Sequence, residues 1–197
     1  MLELAILGLL KERSMHGYQL SKRLTETLGG LWRVSYGSLY PSLRRLERGG
    51  SVEKVFDELE VGRRKNVYRI TENGEKLFFE LLQEAGHESS SEDNRFRVRL
   101  AFFRYLAPET RIRLLERRRA FLEERLAAIK TSLQTNGGGS ADTYTMSLML
   151  HGRDATEQDI DWLDGLIQAE RAQTTHPRKR APRRRGARAL RRKERTA

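Results

Sequence analysis

The chemically expressive residues of this chain are cationic, and their spacing gives them meaning. Within Ser35–Gly50 (SYGSLYPSLRRLERGG), Leu39, Leu43 and Leu46 recur at i, i+4 and i+7, which is one helical stripe. On a wheel of about 100° per residue, Gly37, Pro41, Arg44 and Arg48 point the opposite way, flanked by Ser38 and Arg45. Leucines would anchor such a helix, leaving an outward face that is small at its start and cationic towards its end. That face suits a polyanion. Guanidinium groups pair bidentately with guanine O6/N7, and Ser or Tyr hydroxyls bond bases or phosphates. A second cationic cluster, Gly62-Arg63-Arg64-Lys65, follows it in the chain.

Other chemistries find little material. The four histidines, His16, His87, His151 and His176, are scattered without ligand spacing, and none lies near a motif that would use it as a base. There is no cysteine, so disulfides and thiolate metal sites are excluded. No nucleophile, base and oxyanion donors can be assembled. We therefore expect no enzyme, no metal and no cofactor. No apolar run approaches the ~20 residues of a membrane span. The N-terminal MLELAILGLLKER lacks the basic start of a signal peptide and carries Glu3, so it reads as a folded helix.

The net charge of +11 is unevenly placed. Residues 173–197 hold eleven of the 38 Lys and Arg residues and one of the 27 acids, a net +10. The rest of the chain, with 27 basic and 26 acidic residues, is nearly neutral. The cations of Ser35–Gly50 and Gly62–Lys65 are therefore local features of a neutral body. The tail has Leu190 as its only apolar residue larger than Ala and reads as disordered.

The remaining elements follow from periodicity. Residues 2–12 are apolar almost all round, the pattern of a helix buried on most sides, and Gly8 would let a neighbour approach it closely. Ser14–Tyr18 reads as a turn, and Leu20, Leu24 and Leu28 carry a second helix ending at Gly29-Gly30. Either Ser35 or Ser38 can cap the third helix, which Gly49-Gly50 ends. Alternation over Val52–Asp57 and Val67–Ile70 predicts two strands around a polar loop, a wing tipped by Arg63, Arg64 and Lys65. Thr71–Gly74 opens a fourth helix, and Gly86–Asn94 has linker composition. Pro108 fits the first position of a long helix in which Ile112, Leu115, Arg119, Leu122, Leu126, Ile129 and Leu133 form a heptad seam. Arg119 within the seam calls for Glu116 or Glu123 as partner. A further helical stretch spans 142–172, with Gly152 and Thr156-Glu157 as a point where it would divide.

Together these predict a mainly α chain with a small two-stranded β wing. Residues 1–85 form a winged helix-turn-helix, 95–172 a helical C-terminal dimerisation domain, and 173–197 a basic tail. LAILGLL (4–10), MHGYQL (15–20), GSLYPSLRRLERGG (37–50) and GRRKNVYRITENG (62–74), in this order, closely resemble the PadR family of bacterial transcriptional regulators. The helical half, including Asp161-Trp162-Leu163, resembles the C-terminal domain of the virulence-activator-type members. The basic tail has no counterpart in the family pattern, and Ser51 stands where a larger apolar residue is usual. The resemblance implies a homodimeric cytoplasmic repressor, sometimes an activator, that binds a palindromic operator in double-stranded DNA. For some members it implies release by a small hydrophobic or aromatic effector.

On that reading Ser38, Tyr40, Arg44 and Arg45 go to the groove and its edges. Ser35, Arg48, Arg63, Arg64 and Lys65 go mainly to phosphates, with Tyr18 and Lys22 as weaker phosphate contacts. Tyr40, on the flank of the wheel, equally suits packing between helices. The seam residues Ile112, Leu115, Leu122, Leu126, Ile129 and Leu133 are assigned to dimerisation, against burial within one subunit, because a two-fold operator needs two recognition helices. The alternative is an architectural protein that coats DNA through its tail without sequence preference.

Overall fold

The structure, a computed structural model, describes residues 1–28, 35–56, 66–84, 92–136 and 142–175. Its packing divides the chain into two compact units, Met1–Leu114 and a second beginning at Leu115.

The first unit is built around α1 (Leu2–Glu12), in which every residue from Leu4 to Leu10 is buried. Five leucine and isoleucine side chains there are worth roughly 1.5–3 kcal/mol each on burial. Around α1 pack α2 (Gly17–Leu28), α3 (Tyr36–Arg48), α4 (Glu72–Gln83) and α5 (Glu92–Leu100). Gly8 permits the closest approach. A Cβ there would lie 2.4 Å from the ring of Phe102, and Phe102 in turn meets Phe78 of α4 edge to face at 6.0 Å.

The two strands expected from alternation are β2 (Val52–Phe56) and β3 (Asn66–Ile70), paired antiparallel with Lys54 opposite Tyr68. The structure corrects the reading of Ser14–Tyr18 as a turn alone. Met15–His16 forms a short strand, β1, antiparallel to β3, so the sheet has three strands in the order β1-β3-β2. Two residues cannot display a two-residue period, but Met15 is buried opposite Tyr68 and thereby ties α2 to the sheet.

The end of α3 is fixed by two backbone bonds, Ser51 N–H to the Leu46 carbonyl (2.8 Å) and Gly50 N–H to the Glu47 carbonyl (3.0 Å). This is the Schellman pattern, and Gly50 takes the left-handed φ of 67° that it requires. Thr71 caps α4 by accepting from Gly74 N–H at 3.1 Å, while its hydroxyl donates to the Gly50 carbonyl at 2.6 Å. A Cβ on Gly74 would come within 2.0 Å of the Ser51 carbonyl oxygen. The recognition-type helix, the first wing strand and α4 are thus joined at one knot.

Residues 92–114 pack with this first unit although the linker-like sequence lies ahead of them. Phe96, Val98, Phe102, Phe103 and Leu106 are buried, and Arg99 donates to the Glu84 carbonyl. The compact boundary therefore falls inside α6 (Pro108–Asn136), later than the sequence-based start of a second domain at residue 95.

In the second unit, α6 from Leu115 onwards runs antiparallel to α7 (Thr143–Thr175), with ion pairs Glu116–Arg171 (2.6 Å), Arg119–Asp164 (2.6 Å) and Lys130–Glu157 (2.9 Å). Arg119 also meets Glu123 at 2.9 Å, one of its two expected partners, and the other, Glu116, is taken by Arg171. α7 is not divided at Gly152. Thr156 Oγ1 donates to the Gly152 carbonyl at 2.7 Å, satisfying its hydroxyl within a continuous helix. Asp142 begins α7 by accepting from Thr145 Oγ1 (2.6 Å) and from the Tyr144 and Thr145 N–H groups (2.8 and 3.1 Å).

The heptad seam is divided in its use. Leu115 and Leu122 are buried inside this chain, alongside Ile160, Leu163 and Ile167 of α7, while Ile112, Leu126, Ile129 and Leu133 are half-buried. Among the described residues of this unit, the large apolar side chains left most open are on α7 instead, namely Tyr144 (87% exposed), Leu148 (70%) and Trp162 (45%). They share one stripe at heptad spacing.

Candidate nucleic-acid interface

α3 has the two faces its sequence announced. Leu39, Ser42, Leu43 and Leu46 are buried, and Gly37, Pro41, Arg44 and Arg48 are exposed. Ser35 is the cap. Its Oγ accepts from Ser38 N–H at 3.3 Å, and Ser38 Oγ donates to the Ser35 carbonyl at 2.9 Å. Pro41 therefore lies inside the helix, without an N–H for the carbonyl of exposed Gly37. The consequence for recognition is that both serine hydroxyls, assigned from sequence to a base edge and a phosphate, are engaged in closing the helix.

A Ser35 cap also makes Tyr36 the first residue of the helix, and sequence reasoning did not assign it a role. Tyr36, Tyr40, Arg44 and Arg48 then fall on a single i+4 row, and all four are exposed, Tyr36 at 53% and Tyr40 at 39%. The two rings stack at 6.3 Å with 21° between planes. Tyr40 also abuts the start of α2, where a Cβ on Gly17 would lie 3.1 Å from its hydroxyl oxygen. Both readings of Tyr40 from sequence are thus partly met, since it is braced against another helix and still open to the outside. The signal for Tyr36 was present in the sequence, as four residues back from Tyr40, but it depended on which serine caps.

The cations differ in how free they are. Arg45 turns aside, with Nε 3.2 Å from Glu3 Oε1 on α1 and a terminal nitrogen donating to Ser42 Oγ at 3.1 Å. Its side chain nevertheless stays 59% exposed. Among the described residues, no carboxylate pairs with Arg44 or Arg48, and Arg48 Nε donates to the Arg44 carbonyl at 3.4 Å. Behind the row, Glu47 binds Lys54 at 2.8 Å and holds its ammonium above the ordinary lysine range, while burial raises the Tyr68 hydroxyl, so that Lys54 stays charged and Tyr68 neutral. Tyr18 is 65% exposed, and Lys22 stands 4.0 Å from Glu26 one turn along α2. Arg63, Arg64 and Lys65 lie outside the described residues.

Among the described residues there is no group of three or more His, Asp or Glu side chains placed to hold a metal, and no helix is long and apolar enough to cross a membrane. What the surface offers is an aromatic pair and two open guanidinium groups along one turn-spaced row, on a helix held rigidly by buried leucines.

Comparison with known proteins points the same way. Residues 6–80 match the transcriptional regulator PadR-like family, and residues 94–170 match the virulence activator alpha C-terminal domain. A PadR-like transcriptional regulator from Bacillus cereus strain ATCC 14579 is 32% identical over 40% of this chain and 75% of its own, with a TM-score of 0.36. The negative transcriptional regulator PadR of Bacillus subtilis (strain 168) is 29% identical over 38% of this chain and 41% of its own length. Bacillus subtilis PadR in complex with operator DNA aligns over 86% of this chain and 98% of that chain, at 19% identity and a TM-score of 0.42. Its complex with p-coumaric acid aligns at 20% identity, over the same shares, with a TM-score of 0.39.

Proposed function

Because the chain belongs to the PadR-like family of transcriptional regulators and carries a virulence-activator-type C-terminal domain, we propose that it is a dimeric, sequence-specific repressor. It binds a two-fold operator near the genes it controls and lets go when a ligand or other signal is sensed. The observation that carries this is the exposed row Tyr36–Tyr40–Arg44–Arg48 on α3. One such helix covers only a short half-site, so specificity of a useful size asks for two, placed about one turn of DNA (~34 Å) apart. Arg44 takes the base edge, Arg48 with Arg63, Arg64 and Lys65 the phosphates, and Tyr18 and Lys22 the outer backbone. Arg45 supports α3 from behind through Glu3.

Dimerisation falls to the second unit. The exposed stripe of Tyr144, Leu148 and Trp162, with the half-buried Leu126, Ile129 and Leu133, supports it better than Leu115 and Leu122, which are already buried. The releasing signal is taken to be a small hydrophobic or aromatic effector, and the open apolar hollow between α6 and α7, lined by Ile129 and Leu148, belongs to the surface assigned to dimerisation. Repression is the mode carried by the name of the Bacillus subtilis relative. The protein works in the cytoplasm, where its DNA is.

The +10 tail supports a second reading, a DNA-coating protein whose affinity comes from phosphate neutralisation alone. Selection from a random duplex pool separates the two. A repressor enriches a two-fold sequence and stays on it under excess random duplex. Enrichment of nothing, with complexes stripped by random duplex and by salt alike, would overturn the proposal in favour of coating.

A further inference from the structure

Resting on the reading of α3 as a DNA-reading helix, we infer that Tyr36 and Tyr40 form a thymine-reading ledge, contacting the C5-methyl group of a thymine in each half-site. Three observations converge on this. The hydroxyls of Ser35 and Ser38 are engaged in the helix cap, at 3.3 Å and 2.9 Å, so the one serine expected at the groove, Ser38, is already hydrogen-bonded within the helix. What remains outward there is ring surface, Tyr36 at 53% and Tyr40 at 39% exposure. That surface is preorganised, because the rings stack at 6.3 Å and Tyr40 is braced on Gly17, so little side-chain freedom is lost on contact.

A rigid aromatic face complements the one apolar group in the major groove, the thymine methyl. Arg44, further along the same row, complements guanine. Tyr36 and Arg44 are separated by about 12 Å along the helix axis, or three to four base pairs at about 3.4 Å per step. The methyl read by the ledge therefore lies within about four base pairs of the guanine read by Arg44. The row divides its labour, with apolar readout at its start and bidentate hydrogen bonding further on.

The test uses the full-length chain and the duplex it enriches from a random pool, remade with deoxyuridine replacing one thymine at a time. This exchange removes a methyl group and nothing else. Burying one such group is worth about a fourfold change in affinity. The wild type and Tyr36→Phe should both lose about fourfold at one thymine per half-site, and Tyr36→Ala should be indifferent to the exchange there. The inference is overturned if no single methyl matters, or if Tyr36→Ala still senses it. It is equally overturned if Tyr36→Phe weakens every duplex as much as Tyr36→Ala does, which would make the hydroxyl a phosphate contact. Failure of the pool to yield any preferred duplex is a different result, and overturns the regulator reading on which the inference rests.

Discussion

α1 and α7 dispose of their apolar side chains in opposite ways. α1 hides seven consecutive residues inside the first unit, so that its leucines meet α2, α3, α4, α5 and β3 on every side. α7 buries Ile160, Leu163 and Ile167 within the second unit and leaves Tyr144, Leu148 and Trp162 open on another stripe. The contrast shows where the chain is self-sufficient. Around α1 the described residues of the first unit close over every apolar side chain from Leu4 to Leu10, whereas α7 keeps an apolar stripe of the kind that a second copy would cover. Presentation of α3 and the proposed association would thus fall to different helices.

The sharpest way to break this contrast is to damage α1. Leu7→Ala empties part of a fully buried position and should cost about 2–5 kcal/mol of stability, read as a lower urea midpoint at unchanged slope. A small loss would mean that α1 is not the organiser of its unit. On α7 the same truncation should act on assembly and not on folding. Leu148→Ala with Trp162→Ala should weaken the dimer by about 2 kcal/mol or more, seen as monomer in sedimentation at concentrations where the wild type is paired. A double variant that sediments like the wild type would return the interface to the α6 seam.

Smaller changes sharpen the comparison. Arg119→Ala removes a partly exposed cation shared by Asp164 and Glu123, and should shift the thermal midpoint only slightly, because solvent screens such pairs. A large drop would show the α6–α7 pairing to depend on charge and not on its leucines. Asp142 gives the mildest effect. Hydrogen bonds from the Thr145 hydroxyl and from the Thr145 and Tyr144 N–H groups hold its carboxyl below the usual carboxylate range. A carboxyl depressed in the folded state contributes stability that is complete above its ordinary pKa, and that fades as pH falls through the lower, folded value. Helicity at the start of α7 should therefore decline only below about pH 4, and Asp142→Asn should flatten that acid limb in circular dichroism. An unchanged limb would remove Asp142 from the account of how α7 begins.

Much of this was legible in the sequence, and the exceptions share a cause. α1, the leucine stripe of α3 and strands β2 and β3 all follow from hydrophobic period, since each buries one continuous face. β1 escaped because two residues have no period. Ser35 and Ser38 offer the same hydroxyl three residues apart, and choosing between them required the bond from Ser38 N–H to the Ser35 hydroxyl. With that choice open, Tyr36 had no helix to belong to. Gly152 and Thr156 imitated a helix break, but the threonine hydroxyl is satisfied one turn back. Arg45 was assigned outward from the wheel, which cannot show that Glu3, distant in sequence, waits beside it. Residues beyond the linker-like stretch join the first unit through contacts that no local pattern displays, since Phe102 lies against Gly8 and Phe78 far earlier in the chain.

The central claim is that α3, and within it the open Arg44, distinguishes one DNA sequence from others. The measurement that tests it most directly is the ratio of affinities for the selected duplex and for random duplex at fixed salt, compared between the wild type, Arg44→Ala and Arg45→Ala. Loss of Arg44 should cost about 1–3 kcal/mol on the selected duplex and much less on random DNA, collapsing the ratio, while loss of Arg45, already tied to Glu3, should lower it less. Equal losses on both DNAs for Arg44→Ala, or an unchanged ratio, would contradict the account and leave phosphate attraction as all that α3 contributes.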